Sequence, residues 1–392
     1  MFSLQELGWC DFFQTQVAHG PGIKLRHCGR SEEPLDTSLV PARVAEENRE
    51  VYRLFCEKGE FLAELSGRFR HATLSRSDLP AVGDWVLAQL RVREYRATIH
   101  YVLRRKGKFS RKTAGRKTEE QIVAANIDVL FLVSSLNREF NPRRIERYLT
   151  LAWDSGARPV IILNKSDLCA NAAAFCAEAE SAAMGARVVL TSAARGDGLE
   201  ELRAILCGVE EKAESGFPSE QEQSCLTAAL LGSSGVGKSS LINVLLGDTG
   251  PRAGQLATQA VREGDDRGRH TTTSRQLLLV PGGGVVIDTP GMRELQLWNA
   301  ADSIGRTFGD IQELAARCKF RDCRHQSEPG CAVRAAVESE TLDAERVESF
   351  HKLEREEQFL EAKQDASFRS QRTKELRRMM KSVNRFYRDR GR

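Results

Sequence analysis

The sequence contains no long hydrophobic run. It has 392 residues, of which 41% are hydrophobic, but apolar stretches such as 129–133 and 160–163 are short. A membrane-spanning helix needs ~18–20 apolar residues, so we expect no membrane span and no membrane partner. The first twenty residues lack a basic region followed by an apolar core, which argues against a secretory signal and predicts a cytoplasmic protein.

The cysteine pattern of a disulfide-stapled protein is also missing. Seven of the ten cysteines are scattered singly, and the other three cluster near one histidine. In a chain of this size without a predicted signal, this distribution favours reduced thiols and one metal site. The sequence has no internal repeat or collagen-like segment, and its length corresponds to about two to four domains of ~100–200 residues each.

Net charge is small but unevenly distributed. The chain carries +4 overall, yet residues 104–118 hold eight basic and no acidic side chains, and residues 366–392 hold ten basic and two acidic ones. Each of these segments therefore has a net charge of +8, which leaves −12 on the other 350 residues. Basic segments on an acidic body favour a polyanionic partner, and the alternative is a solvated linker and a solvated tail.

Two kinds of secondary-structure pattern divide the chain. Short strands between about residues 38 and 104, separated by Gly, Asp and Pro, predict a small barrel of the oligonucleotide-binding (OB) type. Strands and helices alternate over 127–208, which predicts an α/β domain with a mainly parallel sheet. The polar stretch 209–224 predicts a linker, after which a strand, a loop and a helix continue the α/β pattern.

The most specific motif begins directly after a predicted strand. Residues 232–239 (GSSGVGKS) match the phosphate-binding pattern G-x-x-x-x-G-K-[ST], and an amphipathic helix follows them. Converging backbone N–H groups and the helix N-terminus would bind phosphate oxygens, Lys238 would reach the β- and γ-phosphates, and Ser239 would coordinate Mg²⁺. The predicted phosphate-binding residues are Gly232, Ser233, Ser234, Gly235, Val236, Gly237, Lys238, Ser239 and Ser240.

A second motif, NKSD, directly follows the predicted strand 159–163. Asp167 can accept hydrogen bonds from N1–H and the 2-amino group of guanine, a pattern that adenine does not offer. N-K-x-D alone matches many loops by chance, but together with the phosphate loop it predicts guanine specificity. A weaker motif, TSA, follows the next strand and matches the loop that closes on the guanine O6. The predicted guanine-binding residues are Asn164, Lys165, Ser166, Asp167, Thr191, Ser192 and Ala193.

Two further stretches match nucleotide-switch elements. Residues 288–291 (DTPG) match D-x-x-G, in which Asp288 would hold Mg²⁺ through water and the Gly291 N–H would contact the γ-phosphate. The stretch 268–273 (GRHTTT) lies where a threonine could complete the Mg²⁺ shell. We favour Thr272 for this role, and an ordinary loop is the alternative.

The position after D-x-x-G affects the predicted chemistry. Met292 stands where many GTPases have a glutamine that orients the attacking water, so we expect slow hydrolysis by the chain alone. His270 is the candidate for positioning this water once a partner orders its loop, and an exposed loop histidine is the alternative. The predicted catalytic residues are Lys238, His270, Asp288 and Gly291.

The motifs come in a permuted order. An ordinary GTPase has the phosphate loop first, then the switch threonine, D-x-x-G, N-K-x-D and S-A. Here the guanine motifs (164–167 and 191–193) precede the phosphate and switch motifs (232–291), which predicts a circular permutation. The linker 209–224 lies where the ancestral termini would be joined, and domain termini often lie close together.

Beyond the D-x-x-G motif, three cysteines and one histidine have the spacing C-x4-C-x-H-x5-C. They are Cys318, Cys323, His325 and Cys331. Three thiolates and one imidazole suit a closed, structural Zn²⁺ site, and the alternatives are a disulfide beside a bystander histidine or free buried thiols. Basic residues surround this cluster and recur in the tail, where Phe386 and Tyr387 also suit RNA, although a solvated helix is the alternative.

The barrel, the permuted motifs and the C-x4-C-x-H-x5-C knob, over roughly residues 38–335, resemble the ribosome small-subunit-dependent GTPase A family (RsgA, also called YjeQ). The resemblance implies a bacterial GTPase that binds the 30S subunit and 16S rRNA late in assembly, with hydrolysis stimulated by the subunit. We expect GTP and GDP as ligands, one structural Zn²⁺, Mg²⁺ with GTP, and a monomer. An RNA-binding checkpoint module whose nucleotide only tunes affinity, or a GTPase acting on another RNA such as tRNA, are the alternatives.

The predicted fold is multidomain α/β: an OB-like barrel, a circularly permuted P-loop GTPase domain with a mainly parallel sheet, and a C-terminal zinc-binding helical domain. We predict an N-terminal extension at 1–36 and a barrel with a basic linker at 37–117. The GTPase domain is predicted at 118–305, and the zinc knob with its basic helical tail at 306–392.

Overall fold

The computed structural model describes most of the chain. The described residues are 2–18, 38–48, 50–73, 75–112, 120–137, 140–183, 185–209, 225–247, 275–288, 300–359 and 362. They belong to two compact units, the first containing the described residues up to 288 and the second those from 300 onward. Within this part of the chain, no helix is both long enough and apolar enough to cross a membrane.

The first unit contains a closed five-stranded barrel. Its strands are β1 (Leu39–Asn48), β2 (Val51–Cys56), β3 (Gly59–Leu65), β4 (Trp85–Arg91) and β5 (Arg96–Val102). The order is β1-β2-β3-β5-β4, and β4 pairs again with β1 to close the barrel. The short helix α2 (Gly67–Ala72) follows β3 in the chain. Buried and outward-facing residues alternate along β3, so that Phe61, Ala63 and Leu65 face the core. The predicted OB-like barrel is confirmed.

The N-terminal segment packs against this barrel. Helix α1 (Asp11–Ala18) and the residues before it place the rings of Trp9 and Phe13 against Trp85, with ring centroids 4.6 and 5.9 Å apart. The buried Arg43 donates a hydrogen bond to the carbonyl of Leu7, and burial lowers the pKa of Arg43 to about 10. A guanidinium in this position ties the N-terminal segment to the barrel core.

Part of the basic segment 104–118 belongs to the fold. The Arg105 guanidinium binds both carboxylate oxygens of Asp84, at 2.8 and 2.7 Å, and donates to the carbonyls of Ser77 and Leu79. Further along, β6 (Lys108–Lys112) and β7 (Glu120–Ala125) form an antiparallel ribbon. Arg105 therefore fits neither of the two interpretations of the basic segment, a polyanion-binding surface or a solvated linker, because Asp84 in the same unit neutralises its charge.

In the described residues, the sheet of the first unit continues from the barrel into a six-stranded, mainly parallel part. Its strands are β8 (Val129–Ser135), β9 (Arg158–Asn164), β10 (Arg187–Leu190), β11 (Thr227–Gly232), β12 (Gln276–Leu279) and β13 (Val285–Asp288). Their order is β10-β9-β8-β11-β13-β12; the first five are parallel and β12 is antiparallel. Strand β11 is late in the chain but central in the sheet, and the predicted mainly parallel sheet is confirmed.

In the described part of the chain, four helices accompany this sheet. They are α3 (Pro142–Ser155), α4 (Ala172–Ala183), α5 (Leu199–Leu206) and α6 (Lys238–Leu246). Helix α3 begins where sequence chemistry favours it: the Asn141 side chain accepts the Arg144 N–H and Pro142 occupies the first turn. It ends at Gly156, whose φ of 81° lies in the left-handed region. Such caps fix the loops that carry polar side chains at the strand ends.

The second unit is helical. It contains α7 (Ala301–Thr307), α8 (Gly309–Ala315), α9 (Ala332–Glu338) and α10, which covers residues 344–359. The rings of Phe308 and Phe350 lie 5.5 Å apart in its core. Arg346 on α10 binds both carboxylate oxygens of Asp310, at 2.7 and 3.0 Å, which joins α10 to α8.

Candidate nucleotide-binding site and metal cluster

The phosphate loop connects the end of β11 to the start of α6. Gly232 is the last residue of β11, and a Cβ there would collide with the carbonyl of Val133 on the neighbouring strand. Gly237 has a φ of 99°, and a Cβ there would collide with the amide of Asn164. These close approaches explain why glycine occupies both positions. They also bring the phosphate loop against the guanine loop.

Lys238 lies across the phosphate loop. Its ammonium donates hydrogen bonds to the carbonyls of Gly232 (2.8 Å) and Ser233 (2.6 Å). Asp288 ends β13, next to β11 in the sheet; burial raises the pKa of its carboxyl, and the charge of Lys238 partly offsets this effect. The predicted phosphate-binding lysine and the predicted Mg²⁺-binding aspartate therefore lie at the same edge of the sheet.

Asn164 joins three loops. It is buried at the end of β9, and its amide nitrogen donates to the carbonyl of Val236 in the phosphate loop at 2.9 Å. Its amide oxygen accepts from the Ala193 N–H at 3.2 Å and from the Thr191 hydroxyl at 3.3 Å. The NKSD and TSA motifs and the phosphate loop thus converge on one side chain, although residues 193 and 236 are far apart in the sequence.

The predicted guanine-reading carboxylate is held by the TSA loop. The Ser192 hydroxyl donates to Oδ1 of Asp167 at 2.6 Å and accepts the Arg195 N–H at 3.2 Å. Lys165 has a φ of 66°, in the left-handed region, and a short 3₁₀ turn over Ser166–Leu168 follows it. The carboxylate keeps acceptor capacity for a ligand, because an ionised carboxylate has about four lone-pair sites.

The structure adds a residue that the sequence analysis did not single out. The Arg144 guanidinium, in the first turn of α3, donates to the Ser233 hydroxyl of the phosphate loop at 2.7 Å. The cap residues Asn141 and Pro142 predict where α3 begins, but only the pairing of β8 with β11 brings that helix start to the phosphate loop. Arg144 therefore adds a positive charge beside the predicted phosphate site.

Several predicted residues lie outside the described part of the chain. They are His270, Thr272, Gly291 and Met292. Their roles remain predictions from the sequence.

The three cysteines and the histidine of the C-x4-C-x-H-x5-C motif form one cluster. Their ligand atoms all lie within 4.8 Å of one another, so the cluster can hold a metal ion. Cys318 Sγ lies 3.9 Å from Cys331 Sγ, much longer than the ~2.05 Å of a disulfide bond. The His325 Nδ1 lies 3.6 and 3.4 Å from these two sulfurs. Bonds of about 2.0–2.3 Å in a tetrahedron separate neighbouring ligands by about 3.3–3.8 Å, close to these distances.

Backbone hydrogen bonds shape this cluster. The Glu328 carboxylate accepts N–H groups of Arg324, Gln326 and Ser327 at 2.9–3.0 Å, and these bonds lower the pKa of Glu328 to about 2. Cys331 begins α9, where its sulfur accepts the Arg334 N–H at 3.4 Å. The loop between the histidine and the last cysteine is therefore closed by a carboxylate that is not part of the motif.

The fold and the loops define a class. A phosphate loop, an N-K-x-D loop and an aspartate from D-x-x-G meet at the ends of parallel strands of one sheet, with the N-K-x-D strand first in the chain. This arrangement is a circularly permuted GTPase. A structure described as a circularly permuted GTPase, YloQ, has the same fold, with a TM-score of 0.53 and 23% identity over 82% of this chain and 96% of that chain.

Comparisons of sequence identify the family. The family model for the RsgA GTPase matches residues 102–298. A protein of Opitutus terrae named small ribosomal subunit biogenesis GTPase RsgA is 44% identical over 370 residues, which cover 91% of this chain and 90% of that protein. The crystal structure of YjeQ from Thermotoga maritima has a TM-score of 0.55 and 26% identity, and it covers 80% of this chain and 97% of its own. The chain belongs to the RsgA GTPase family and is a GTPase.

Proposed function

We propose that the chain binds the small ribosomal subunit and its 16S rRNA and hydrolyses GTP as a late-stage factor in 30S assembly. One observation carries this proposal. The relative from Opitutus terrae, which is named for small ribosomal subunit biogenesis, is similar to nearly the whole chain and not to the GTPase sheet alone. The chain would act in the cytoplasm as a monomer, as the sequence analysis expects.

The proposed binding site uses the loops described above. The phosphate loop, from Gly232 to Ser240, would bind the phosphates of GTP through its N–H groups and Lys238. Asp167 would read guanine and Ser166 and Ala193 would lie beside the base, while the Asn164 hydrogen bonds hold the surrounding loops together. Hydroxyl and carboxylate oxygens from Ser239, Thr272 and Asp288 suit Mg²⁺, which when bound would neutralise charge on the β- and γ-phosphates.

The proposed catalytic step depends on a partner. Met292 cannot orient a water molecule by hydrogen bonding, so the chain alone would turn over slowly. His270 would position the attacking water once the small subunit orders its loop. The Gly291 N–H would contact the γ-phosphate, and the stretch 289–299 would pass the nucleotide state to the zinc-binding unit that follows it.

Stimulation of GTP hydrolysis tests the proposed function. We expect purified small subunits to raise the turnover number at least tenfold, because Met292 replaces the usual water-orienting glutamine and the partner would bring His270 into that role. Large subunits and tRNA serve as controls in the same assay. Stimulation by tRNA alone would instead support an enzyme acting on another RNA. Binding of small subunits without any stimulation would support a checkpoint module whose nucleotide only tunes affinity.

Replacing His270 tests the water-positioning role. We expect His270→Ala to bind GTP as tightly as the wild type and to lose about 10²–10⁴-fold of the stimulated turnover, the usual contribution of a group that assists proton transfer or positions the nucleophile. Binding is measured with a fluorescent GTP analogue and turnover by phosphate release. His71→Ala, which replaces an exposed histidine of the barrel unit, is the control. Unchanged stimulated turnover in His270→Ala would contradict the assignment.

We also propose that the metal of the cysteine cluster is zinc. Three thiolates and one imidazole are soft and borderline donors that suit Zn²⁺. Four protein donors would complete the tetrahedral coordination of the metal, as in a structural zinc site, and would leave no position for a substrate. Bound zinc would hold the loop 318–331 together and contribute folding free energy to the second unit.

Metal analysis tests the zinc proposal. We expect one zinc per chain in the purified protein, because the four donor atoms already lie within 4.8 Å of one another. Cys323→Ser should lose most of this zinc and lower the melting temperature of the second unit. Cys169→Ser replaces a thiol outside the cluster, so the zinc content and the melting temperature of this variant should equal those of the wild type. Equal zinc contents in the two variants would count against the site.

A further inference from the structure

Two thiols lie close together at the joint of the permuted domain, the place where the chain passes from α5 through the linker 209–224 to β11. Cys207 follows α5 directly, and Cys225 lies two residues before β11. The Leu226 N–H donates to the carbonyl of Leu206 at 2.8 Å, so the chain returns to the end of α5 after the polar linker. This hydrogen bond places the two cysteines next to each other although seventeen residues separate them in the sequence.

The two sulfurs share one space above Gly283. The position that a Cβ on Gly283 would occupy lies 3.1 Å from Cys207 Sγ and 3.4 Å from Cys225 Sγ. Gly283 has a φ of 123°, a conformation that favours glycine, and glycine has no side chain that would enter the space beside the two sulfurs. Cys207 Sγ also donates a hydrogen bond to the Gly282 carbonyl at 3.3 Å, which keeps it on this side of the turn.

Both thiols are accessible to a small reagent. Each is partly exposed, unlike Cys56, which is buried in the barrel. Burial, and then the proximity of Cys225, raises the pKa of the Cys207 thiol. The electrostatic effect of one cysteine on the other agrees with the short approach of both sulfurs to Gly283.

We propose that Cys207 and Cys225 are a redox site that closes reversibly to a disulfide in the presence of a small-molecule disulfide such as oxidised glutathione. One cysteine thiolate attacks a glutathione sulfur, the glutathione S–S bond breaks, and one glutathione thiolate leaves. The second cysteine thiolate then attacks the first cysteine sulfur and expels the other glutathione thiolate. Two protein thiols are oxidised, one glutathione disulfide is reduced, and the two protons released by the cysteines end on the two glutathione thiols.

The Cys207–Cys225 disulfide would stabilise the joint and would lie far from the proposed nucleotide site. It closes the loop between α5 and β11, and closure of a loop of this length removes entropy from the unfolded chain. Cys225 lies just before the first residue of β11, whereas the phosphate loop begins at the last residue of that strand. At ~3.3 Å per residue, about 20 Å of extended chain therefore separates Cys225 from the phosphate loop. Oxidation should therefore raise stability and leave GTP hydrolysis unchanged.

Oxidation of the full-length, zinc-loaded chain tests the proposal. After incubation with oxidised glutathione, peptide mapping without reduction should recover the segments around Cys207 and Cys225 as one cross-linked species. The melting temperature should rise by about 5 °C and return to its starting value after reduction. The rate of GTP hydrolysis should be the same in both forms.

Single replacements provide the controls. Cys207→Ser and Cys225→Ser should show neither the cross-linked species nor the rise in melting temperature. Mixed disulfides with glutathione at these positions and no internal bond would overturn the proposal. So would a bond confined to another pair, such as Cys169 with Cys176, or a rise in melting temperature that persists in both serine variants.

Discussion

An Asp167→Asn variant should bind GTP at least 100-fold more weakly than the wild type and should gain affinity for xanthosine triphosphate. The Asp167 carboxylate is proposed to accept two N–H groups of guanine, and hydrogen bonds to a charged group contribute about 1.5–3 kcal/mol each. An asparagine amide presents one donor and one acceptor at the same place. Xanthine carries an N1–H donor and a 2-oxo acceptor, so it complements the amide where guanine does not.

The structure indicates that this substitution leaves the loop intact. The Ser192 hydroxyl donates to Oδ1 of Asp167 at 2.6 Å, and an asparagine amide oxygen can accept the same bond. Affinities for both nucleotides are measured by competition with a fluorescent GTP analogue. Asp197→Asn makes the same chemical change at an exposed position of the neighbouring loop and should alter neither affinity. An Asp167→Asn protein that keeps its GTP affinity would show that another residue reads the base.

Short contiguous motifs account for most of what the sequence predicts about this site. The phosphate loop needs glycines, a lysine and a hydroxyl within eight residues, and the strand before it supplies the structural context. The contacts between motifs could not be predicted in this way. Asn164 donates to Val236, 72 positions away, and Arg144 donates to Ser233, 89 positions away. Only the lateral order of the strands brings these residues together.

The same distinction holds for charge and for thiols. The run of basic residues at 104–118 is visible in the sequence, but the partner that neutralises Arg105 is Asp84, 21 positions earlier and directly before barrel strand β4. Cys207 and Cys225 look like scattered cysteines in the sequence because seventeen residues separate them. The C-x4-C-x-H-x5-C motif was predictable because all of its donors lie within fourteen residues.

Strand order also explains how the permuted chain keeps one site. Strand β11 lies between β8 and β13, so the phosphate loop remains beside both the D-x-x-G strand and the strand that precedes α3. Strand β9 is one position further away, and the Asn164 side chain spans that distance to the phosphate loop. Exchanging the order of the two halves along the chain therefore leaves the neighbours of each loop unchanged. The joint is the new feature, and it contains the cysteine pair.

Replacing Asp84 by alanine should destabilise the first unit by about 3–5 kcal/mol, because it leaves a buried guanidinium without its counter-charge. The Asp84 side chain is fully buried, and that of Arg105 is only 16% exposed. Asp84 accepts two hydrogen bonds from Arg105 and a third, at 2.8 Å, from the Ala81 N–H. Its loss would also leave that backbone donor unsatisfied. Chemical denaturation measures the free energy of unfolding, and the denaturant concentration at the midpoint should fall in proportion to the lost free energy.

An exposed pair provides the matched control. Arg96 and Glu64 lie 3.6 Å apart on neighbouring barrel strands, and both side chains are 56% exposed, so Glu64→Ala should cost less than about 1 kcal/mol. Similar losses in the two variants would mean that the Asp84–Arg105 pair is no more important than a surface pair. The expected difference also affects tests of RNA binding. A variant that neutralises Arg105 would lose barrel stability together with charge. Lys106 and Lys108 form their ion pairs, with Asp128 and Glu120, at side-chain exposures of 33% and 48%, so they can be neutralised with less loss of stability.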